Sequence, residues 1–266
     1  MTNAERIASI KLMIATPFYE GRGYVSYILA LTDTLKELSR LGINWITHFT
    51  TGDAYVDRAK NAIVGAFLQS TCTDLFMIDS DLGWDVGGFL RVLLAPYDLV
   101  GGVYPLKRNP GDEYPCVVYT TEDGTRQPVM MPEGVIKAMM IPGGFMRIRK
   151  ETLKLVVKEC DTYICEQSSF PGLTPNLFNT SRSNGRFIGE DVVFCKKWRD
   201  AGYNIYLEPR VVFSHSGSYG WRGSYHDYLI GQPKIDVNDV MAVYIDRPST
   251  AVNDLTTAPD ILEVLA

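Results

Sequence analysis

The sequence lacks any cysteine pattern that would hold a metal or a disulfide framework. Its five cysteines, Cys72, Cys116, Cys160, Cys165 and Cys195, are odd in number and contain no C-x-x-C pair. That argues against a zinc site and for buried thiols in a reducing compartment. Also missing is an uncharged apolar run near the ~18 residues needed to span a bilayer. The opening MTNAERIASIKLMIATPF has neither the apolar core nor the small-residue cleavage site of a signal peptide. The expectation is a cytoplasmic protein without a membrane span. A basic excess is absent too: 26 Lys and Arg stand against 31 Asp and Glu, a net charge of −5. Nucleic acid could then be met only through a local basic patch.

What is present is an ordinary globular composition, 46% hydrophobic and 21% charged over 266 residues. That length fits a single α/β domain. KLMIA (11–15) is a short strand-like run stopped by Thr16-Pro17. Ile28, Leu31, Leu35 and Leu38 then recur at helical spacing between Val25 and Arg40. INWITHF (43–49) is a second strand, with Thr50 to Asp53 as loop and helix cap. Val56, Ala59, Ile63, Ala66 and Phe67 mark a helix to about Gln69, with Arg58 and Asn61 one turn apart off that stripe. DLFMID (74–79) reads as a strand covered on both faces. A helix over 86–95, weakened by Gly87 and Gly88, and a strand over 98–104 follow.

Strand–helix repetition predicts a mostly parallel central sheet with helices on both faces, and a ligand site beyond the carboxyl ends of the strands. Thr16-Pro17, Thr50-Thr51 and Asp79-Ser80-Asp81 all fall at such ends. The second half reads as smaller and mixed. A hairpin is expected around Asp123-Gly124, strands on either side of Pro142-Gly143-Gly144, and a helix over 150–159. A long loop is expected over 167–189, a helix over 190–202, and two strands ending at His215. SGSYGWRGSYHDYL, spaced by glycines, suits a flexible lid carrying Tyr219, Trp221 and Tyr225, or a stacking platform. The residues after Gly231 read as a tail.

Two carboxylates one residue apart at a strand end repel each other, and a divalent cation compensates them. Oxygen ligands suit Mg²⁺ or Mn²⁺. Such a cation could bind a diphosphate and act as a Lewis acid for its departure. His215 closes its strand, and neutral imidazole is a good further ligand for Mn²⁺ beside carboxylates. Glu190 and Asp191 open a helix. Acids there complement the helix dipole by ~0.3–1 kcal/mol each, and equally suit a general base.

Several stretches, in this order, resemble the GT-A glycosyltransferases: ATP (15–17), DRAKNAIVGAFL, LFMIDSDLGWD, GGVYPLK, GGFMRIRKETL, GEDVVFCKKWRDAG and VFSHSG. The resemblance covers roughly residues 10–217 and is nearest to compact stand-alone members such as those of bacteriophages and large viruses. It implies a single GT-A (Rossmann-like) domain with a nucleotide-binding half (10–105), an acceptor and metal half (106–217) and a lid and tail (218–266). It implies a nucleoside-diphosphate-sugar donor, UDP-sugar by default, and a Mn²⁺ or Mg²⁺ cofactor. The acceptor would be a hydroxyl, on a hydroxymethylated DNA base or a glycan.

By the same resemblance, Thr16 and Pro17 would border the nucleoside base, and Arg58 and Asn61 would face the nucleotide. Asp79, with Ser80 beside it, would touch the ribose or the metal's water shell. Asp81 and His215 would ligate the metal, and Gly143-Gly144 would let the backbone approach the sugar. Asp191, with Glu190, would act at the reacting carbon. Lys107 or Arg222 would help stabilise the leaving diphosphate. Arg182, with Arg186, Lys107, Arg108, Lys196 and Lys197, could form a basic rim for a phosphate-bearing acceptor. Two other functions use a similar acidic pair: a metal-dependent nucleotidyltransferase, and a non-catalytic nucleotide-sugar binder.

Overall fold

The computed structural model describes residues 3–108, 113–122, 127–165, 172–217 and 220–231. The chain opens with α1 (Asn3–Ser9), β1 (Lys11–Phe18), α2 (Val25–Arg40), β2 (Asn44–Thr51), α3 (Val56–Gln69) and β3 (Asp74–Ile78). It continues through β4 (Leu82–Trp84), α4 (Val86–Leu94), β5 (Leu99–Gly102), β6 (Val117–Val118), β7 (Ile136–Met140), β8 (Phe145–Arg149) and α5 (Lys150–Val157). Then come β9 (Thr162–Cys165), β10 (Gly172–Pro175), β11 (Ser181–Ser183), β12 (Arg186–Ile188) and α6 (Glu190–Asp200). The described part closes with β13 (Ile205–Glu208), β14 (Val212–Ser216), β15 (Gly220–Ser224) and α7 (Tyr225–Ile230). Among the described residues no helix is long and apolar enough to cross a membrane.

Eight strands form one sheet in the order β2-β1-β3-β8-β5-β13-β7-β6. β1 pairs in parallel with β2 and β3, and β5 with β13. β8 runs antiparallel between β3 and β5, and β7 runs antiparallel between β13 and β6. The fold is thus α/β, with all strands but β8 and β7 running the same way. Strands from either side of residue 105 share the sheet.

β3 shows why the sheet is covered on both faces. Its alternation sends Leu75 and Met77 into one apolar cluster, and Phe76 and Ile78 into the other. Ile63, Val64 and Phe67 of α3, Leu153 and Val156 of α5, and Phe194 and Trp198 of α6 cover the first face. Tyr27, Ala30 and Leu38 of α2 with Phe89, Leu90 and Leu93 of α4 cover the second. Each buried Leu, Ile, Val or Phe among them contributes roughly 1.5–3 kcal/mol by leaving water.

Several sequence expectations are corrected by packing. β1 does not stop at Thr16-Pro17 but continues to Phe18. Beyond Ala15 it is paired only with β2, so the missing N–H of Pro17 is tolerated as on an edge. The buried stripe of α2 is Tyr27, Ala30, Thr34 and Leu38, while Ile28 is exposed. Thr34 is drawn inward because its hydroxyl accepts a hydrogen bond from Trp84 Nε1 at 2.9 Å. Gly88 is accommodated in α4 because Asp85 caps that helix through the Gly88 N–H, and a Cβ there would lie 2.6 Å from Asp85 Oδ2.

The stretch expected as a loop over 167–189 contains β10 and the β11–β12 hairpin, apart from 167–171, which lie outside the described residues. Asn184 and Gly185 both have positive φ, the two-residue turn that suits a hairpin. The hairpin around Asp123-Gly124 has its flanks paired, Thr120 with Pro128, while 123–126 lie outside the described residues. The glycine-spaced lid is instead β15, paired with β14 from Val212↔Ser224 to Ser216↔Gly220. Gly223 serves close packing, since a Cβ there would meet Tyr114 Oη at 2.3 Å. Tyr219 and the tail after Gly231 lie outside the described residues.

Candidate functional site

β3 ends at Ile78, and the chain continues with Asp79 N–H donating to Gly144 O at 2.8 Å. The aspartate pair is therefore set against the turn before β8. A second, three-stranded sheet, β15-β14-β4, brings His215 opposite Leu82, just after that pair. Ser216 N–H donates to Asp81 O at 2.8 Å and fastens β14 to the acidic turn.

At this outer end the side chains of Asp81, His215 and Lys107 converge. Lys107 donates to Asp81 Oδ2, and His215 Nε2 lies 3.6 Å from the same oxygen. His215 Nδ1 is 2.7 Å from Pro105 O. A carbonyl only accepts, so Nδ1 carries the hydrogen. In the neutral ring Nε2 then turns a lone pair toward a carboxylate. Burial raises the Asp81 carboxyl, but His215 and Lys107 outweigh it and hold it below its ordinary value.

At the inner end Lys60 is buried, its side chain 2% exposed, and donates to Asp191 Oδ1 at 2.9 Å and Glu190 Oε1 at 3.1 Å. Burial opposes its charge, yet Asp191, Asp79 and Glu190 together raise its pKa. Burial likewise disfavours the Asp191 carboxylate, but Lys60 and a hydrogen bond from the Gly143 backbone bring its pKa below the ordinary value. Between the two ends lies Asp79. Its burial, offset in part by Lys60 and reinforced by Asp191, Asp81 and Glu190, pushes its carboxyl up to about 6. Its Oδ1 is buried and has no hydrogen-bond partner among the described residues.

Gly143 and Gly144 form the wall between the ends, and space rather than backbone freedom requires them. A Cβ on Gly143 would lie 2.1 Å from Asp191 Oδ1 and 2.6 Å from Lys60 Nζ. On Gly144 it would lie 2.3 Å from Tyr104 Oη and 2.5 Å from Asp79 Oδ2. Tyr104, buried beneath, accepts the Gly144 N–H at 3.1 Å. Burial and then the charges of Asp79, Asp191 and Asp81 keep its phenol protonated.

The structure thus gathers Asp79, Asp81, His215, Lys107, Gly143, Gly144, Glu190 and Asp191. Ser80 adjoins them and accepts the Tyr24 N–H at 3.3 Å. The other expected site residues have the following surroundings. Asn61 is fully buried, and all its hydrogen-bonding capacity is used: its amide nitrogen donates to Phe178 O and Tyr163 Oη, and its oxygen accepts from Leu177 and Phe178 N–H. It ties α3 to the 177–178 turn. Thr16 is also buried, with its hydroxyl 2.6 Å from Tyr27 Oη. Pro17 remains half-buried at the strand end. Arg58 pairs with Asp53 at 2.8 Å. Asp53 does not cap α3; its carboxylate accepts from Tyr55 N–H and Arg58. Arg182 is exposed on β11 across from Phe187, and Lys196 and Lys197 are engaged by Asp200 and Asn179. Trp221 and Arg222 sit on β15 rather than on a lid.

Lys60 and Tyr104 were not among the residues picked out from sequence. Lys60 had a readable signal: it falls on the apolar stripe of α3, four residues after Val56 and four before Val64. A charge there must be solvated by partners inside the fold.

At the outer end Asp81 Oδ2 and His215 Nε2, 3.6 Å apart, are donors of the kind that Mn²⁺ or Mg²⁺ accepts. Among the described residues no group of three or more His, Cys, Asp or Glu closes on a metal-sized point.

No family model and no curated protein matches the chain. Among solved structures it is similar to the crystal structure of GalNAc-T7 with UDP, GalNAc and Mn²⁺, at 11% identity and a TM-score of 0.43. The match covers 76% of this chain and 42% of that one, so the chain spans less than half of that protein's length.

Proposed function

We propose that the protein is a metal-dependent glycosyltransferase of GT-A type, which moves a sugar from a nucleoside-diphosphate sugar, UDP-sugar first, to a hydroxyl acceptor. One observation carries this reading. An outer Asp81–His215–Lys107 group faces an inner Lys60–Asp191–Glu190 group across a glycine pair with no room for a Cβ. A donor laid along the glycines would have its diphosphate at one end and its reacting carbon at the other.

A divalent ion bound by Asp81 and His215, with Asp79 in its shell, would stabilise the negative charge of the departing diphosphate. Lys107, exposed and on the same carboxylate, adds a mobile positive charge there. Asp191 is kept ionised by Lys60 and can accept the acceptor hydroxyl's proton, an effect typically of 10²–10⁴-fold. Lys60 positions that carboxylate and Gly143 adds the backbone N–H. A well-placed base favours inversion at the anomeric carbon.

The test is incubation with Mn²⁺ and a panel of UDP- and GDP-sugars. Slow release of nucleoside diphosphate supports the proposal. Pyrophosphate chemistry would replace it with a nucleotidyltransferase, and binding without release with a non-catalytic binder. Hydroxymethylated duplex DNA and simple glycans, supplied in parallel, distinguish the acceptors.

A further inference from the structure

The two edges of the eight-stranded sheet are built differently. At one edge lies β6, two residues long and paired to β7 through an irregular register at Val117 and Val118. A very short strand and a bulge are the usual means of keeping an edge from pairing with another chain. At the other edge lies β2, eight residues paired without interruption to β1. That exceeds the usual strand length of about five to six residues. Among the described residues no strand pairs with its outer side.

β2 carries none of the common guards. Its sequence, NWITHFTT, contains no lysine, arginine, acid, proline or glycine, and its ladder with β1 has no bulge. Trp45, Ile46, Thr47, Phe49, Thr50 and Thr51 are aromatic or β-branched and suit an extended, half-buried surface. Five of its eight residues are exposed, on both faces, so α2 and α3 leave the strand uncovered. Ile46 and Phe49 are 46% and 43% exposed.

An edge without charge does not select a partner by opposite charge; what β2 matches is its own sequence. Antiparallel pairing of two copies about a two-fold axis at Thr47 sets Thr47 opposite Thr47 of the second copy. The same register sets Trp45 opposite Phe49 and Ile46 opposite His48. Trp45, Thr47 and Phe49 share one face by alternation. The pairing therefore makes two aromatic pairs around a threonine pair, contacts of the kind that stabilise antiparallel ladders.

We infer that β2 is a dimerisation edge, along which two copies of the chain join antiparallel so that one sheet runs through both. The interface is isologous, the commonest form of homo-oligomer. Strand pairing alone covers less than the ~800 Å² per partner of a standard interface, so the dimer is of micromolar strength. The inference uses no residue of the acidic cluster and holds whether or not the reaction proposed above is correct.

The test is sedimentation of the full-length protein, under reducing conditions, from low to high micromolar concentration. A monomer–dimer equilibrium is expected. Thr47→Lys, at an exposed position, sets two ammonium groups opposite each other and weakens dimerisation by roughly tenfold or more. Thr47→Asp does the same, and an equimolar mixture of the two variants recovers the dimer, which misfolded variants would not do. Amide hydrogen exchange over residues 44–51 slows as protein concentration rises. The inference is overturned by a protein that stays monomeric throughout, by Thr47→Lys associating as tightly as the native chain, or by a mixture of the two variants that stays monomeric. It is equally overturned by β2 amides protected to the same degree at every concentration, since another segment of the same chain would then cover the edge.

Discussion

The two ends of the polar cluster handle their carboxylates in opposite ways. At the inner end the counter-charge is built into the chain: Lys60 comes from the buried stripe of α3, its own side chain 2% exposed, and reaches the half-buried Asp191 and Glu190. At the outer end Asp81 is held by Lys107, whose side chain is one-third exposed, and faces a histidine nitrogen that lacks a hydrogen of its own when the ring is neutral. Burial sets the difference. A permanently neutralised pair is a fixed part of the scaffold, whereas an exposed lysine can be displaced by a cation with higher charge. On the proposed function, the inner end is organised before any ligand arrives and the outer end would be completed by one.

Substitutions at the two ends should fail differently. Asp81→Ala removes the oxygen on which the outer end converges, and kcat/KM should fall by about 10²–10³-fold or more. Unfolding in urea should barely change, because the partners His215 and Lys107 retain other contacts or solvent. Lys60→Met should do the reverse in kind. Leaving two carboxylates without their buried cation costs roughly 3–5 kcal/mol, read as a lower urea midpoint.

The pH dependence sharpens this second contrast. In the native protein the Asp191 carboxyl is depressed. Its stabilising contribution is complete above the unfolded carboxylate pKa and is lost as pH falls through the lower folded value. In Lys60→Met the shift is reversed, so the deficit should be largest near neutral pH and shrink as acid protonates the carboxyl. A deficit independent of pH would mean that Lys60 acts only by filling space.

How much of this was legible beforehand depended on whether neighbours in sequence were neighbours in space. α3 and β3 were readable because Ile63, Phe67 and the run Leu75 to Ile78 carry their own periodicity. The placement of β8 between β3 and β5 was not, since strand order is set by partners far apart in the chain. Arg147 illustrates the difficulty. It lies fully buried in the middle of β8 because it donates to Tyr97 O at 2.5 Å and Ala95 O at 2.6 Å, just beyond α4. Nothing local announces those partners. The β11–β12 hairpin was missed although Asn184-Gly185 is a turn signal, because the surrounding Ser and Asn made the whole stretch look irregular.

Within the site the same rule holds. The pairing of Asp79 and Asp81 at a strand end could be seen, and so could His215 at another. Their convergence needed the three-stranded sheet of β4, β14 and β15. The structural role of Asn61 was not legible, because a polar residue on a helix looks free until its hydrogen-bond partners, the backbone of 177–178, are known.

Two smaller effects complete the contrast. Asn61→Ala leaves the Leu177 and Phe178 N–H groups buried without an acceptor, at ~1–3 kcal/mol each. Stability should drop, while the donor KM of the folded fraction should stay the same. Lys107→Ala should shift stability by only about 0–1 kcal/mol, as for other exposed pairs. Its donor affinity should nevertheless weaken, and the remaining affinity should depend less on salt. A Lys107→Ala protein that unfolds as easily as Lys60→Met would erase the distinction between the two ends.

The most direct measurement is calorimetric titration of UDP into the protein with and without Mn²⁺, repeated with Asp81→Ala. Saturable heat should appear only when Mn²⁺ is present and should vanish in the variant while its urea midpoint holds. UDP binding of equal strength with and without the ion, and unchanged in Asp81→Ala, would contradict an outer end that is completed by a cation.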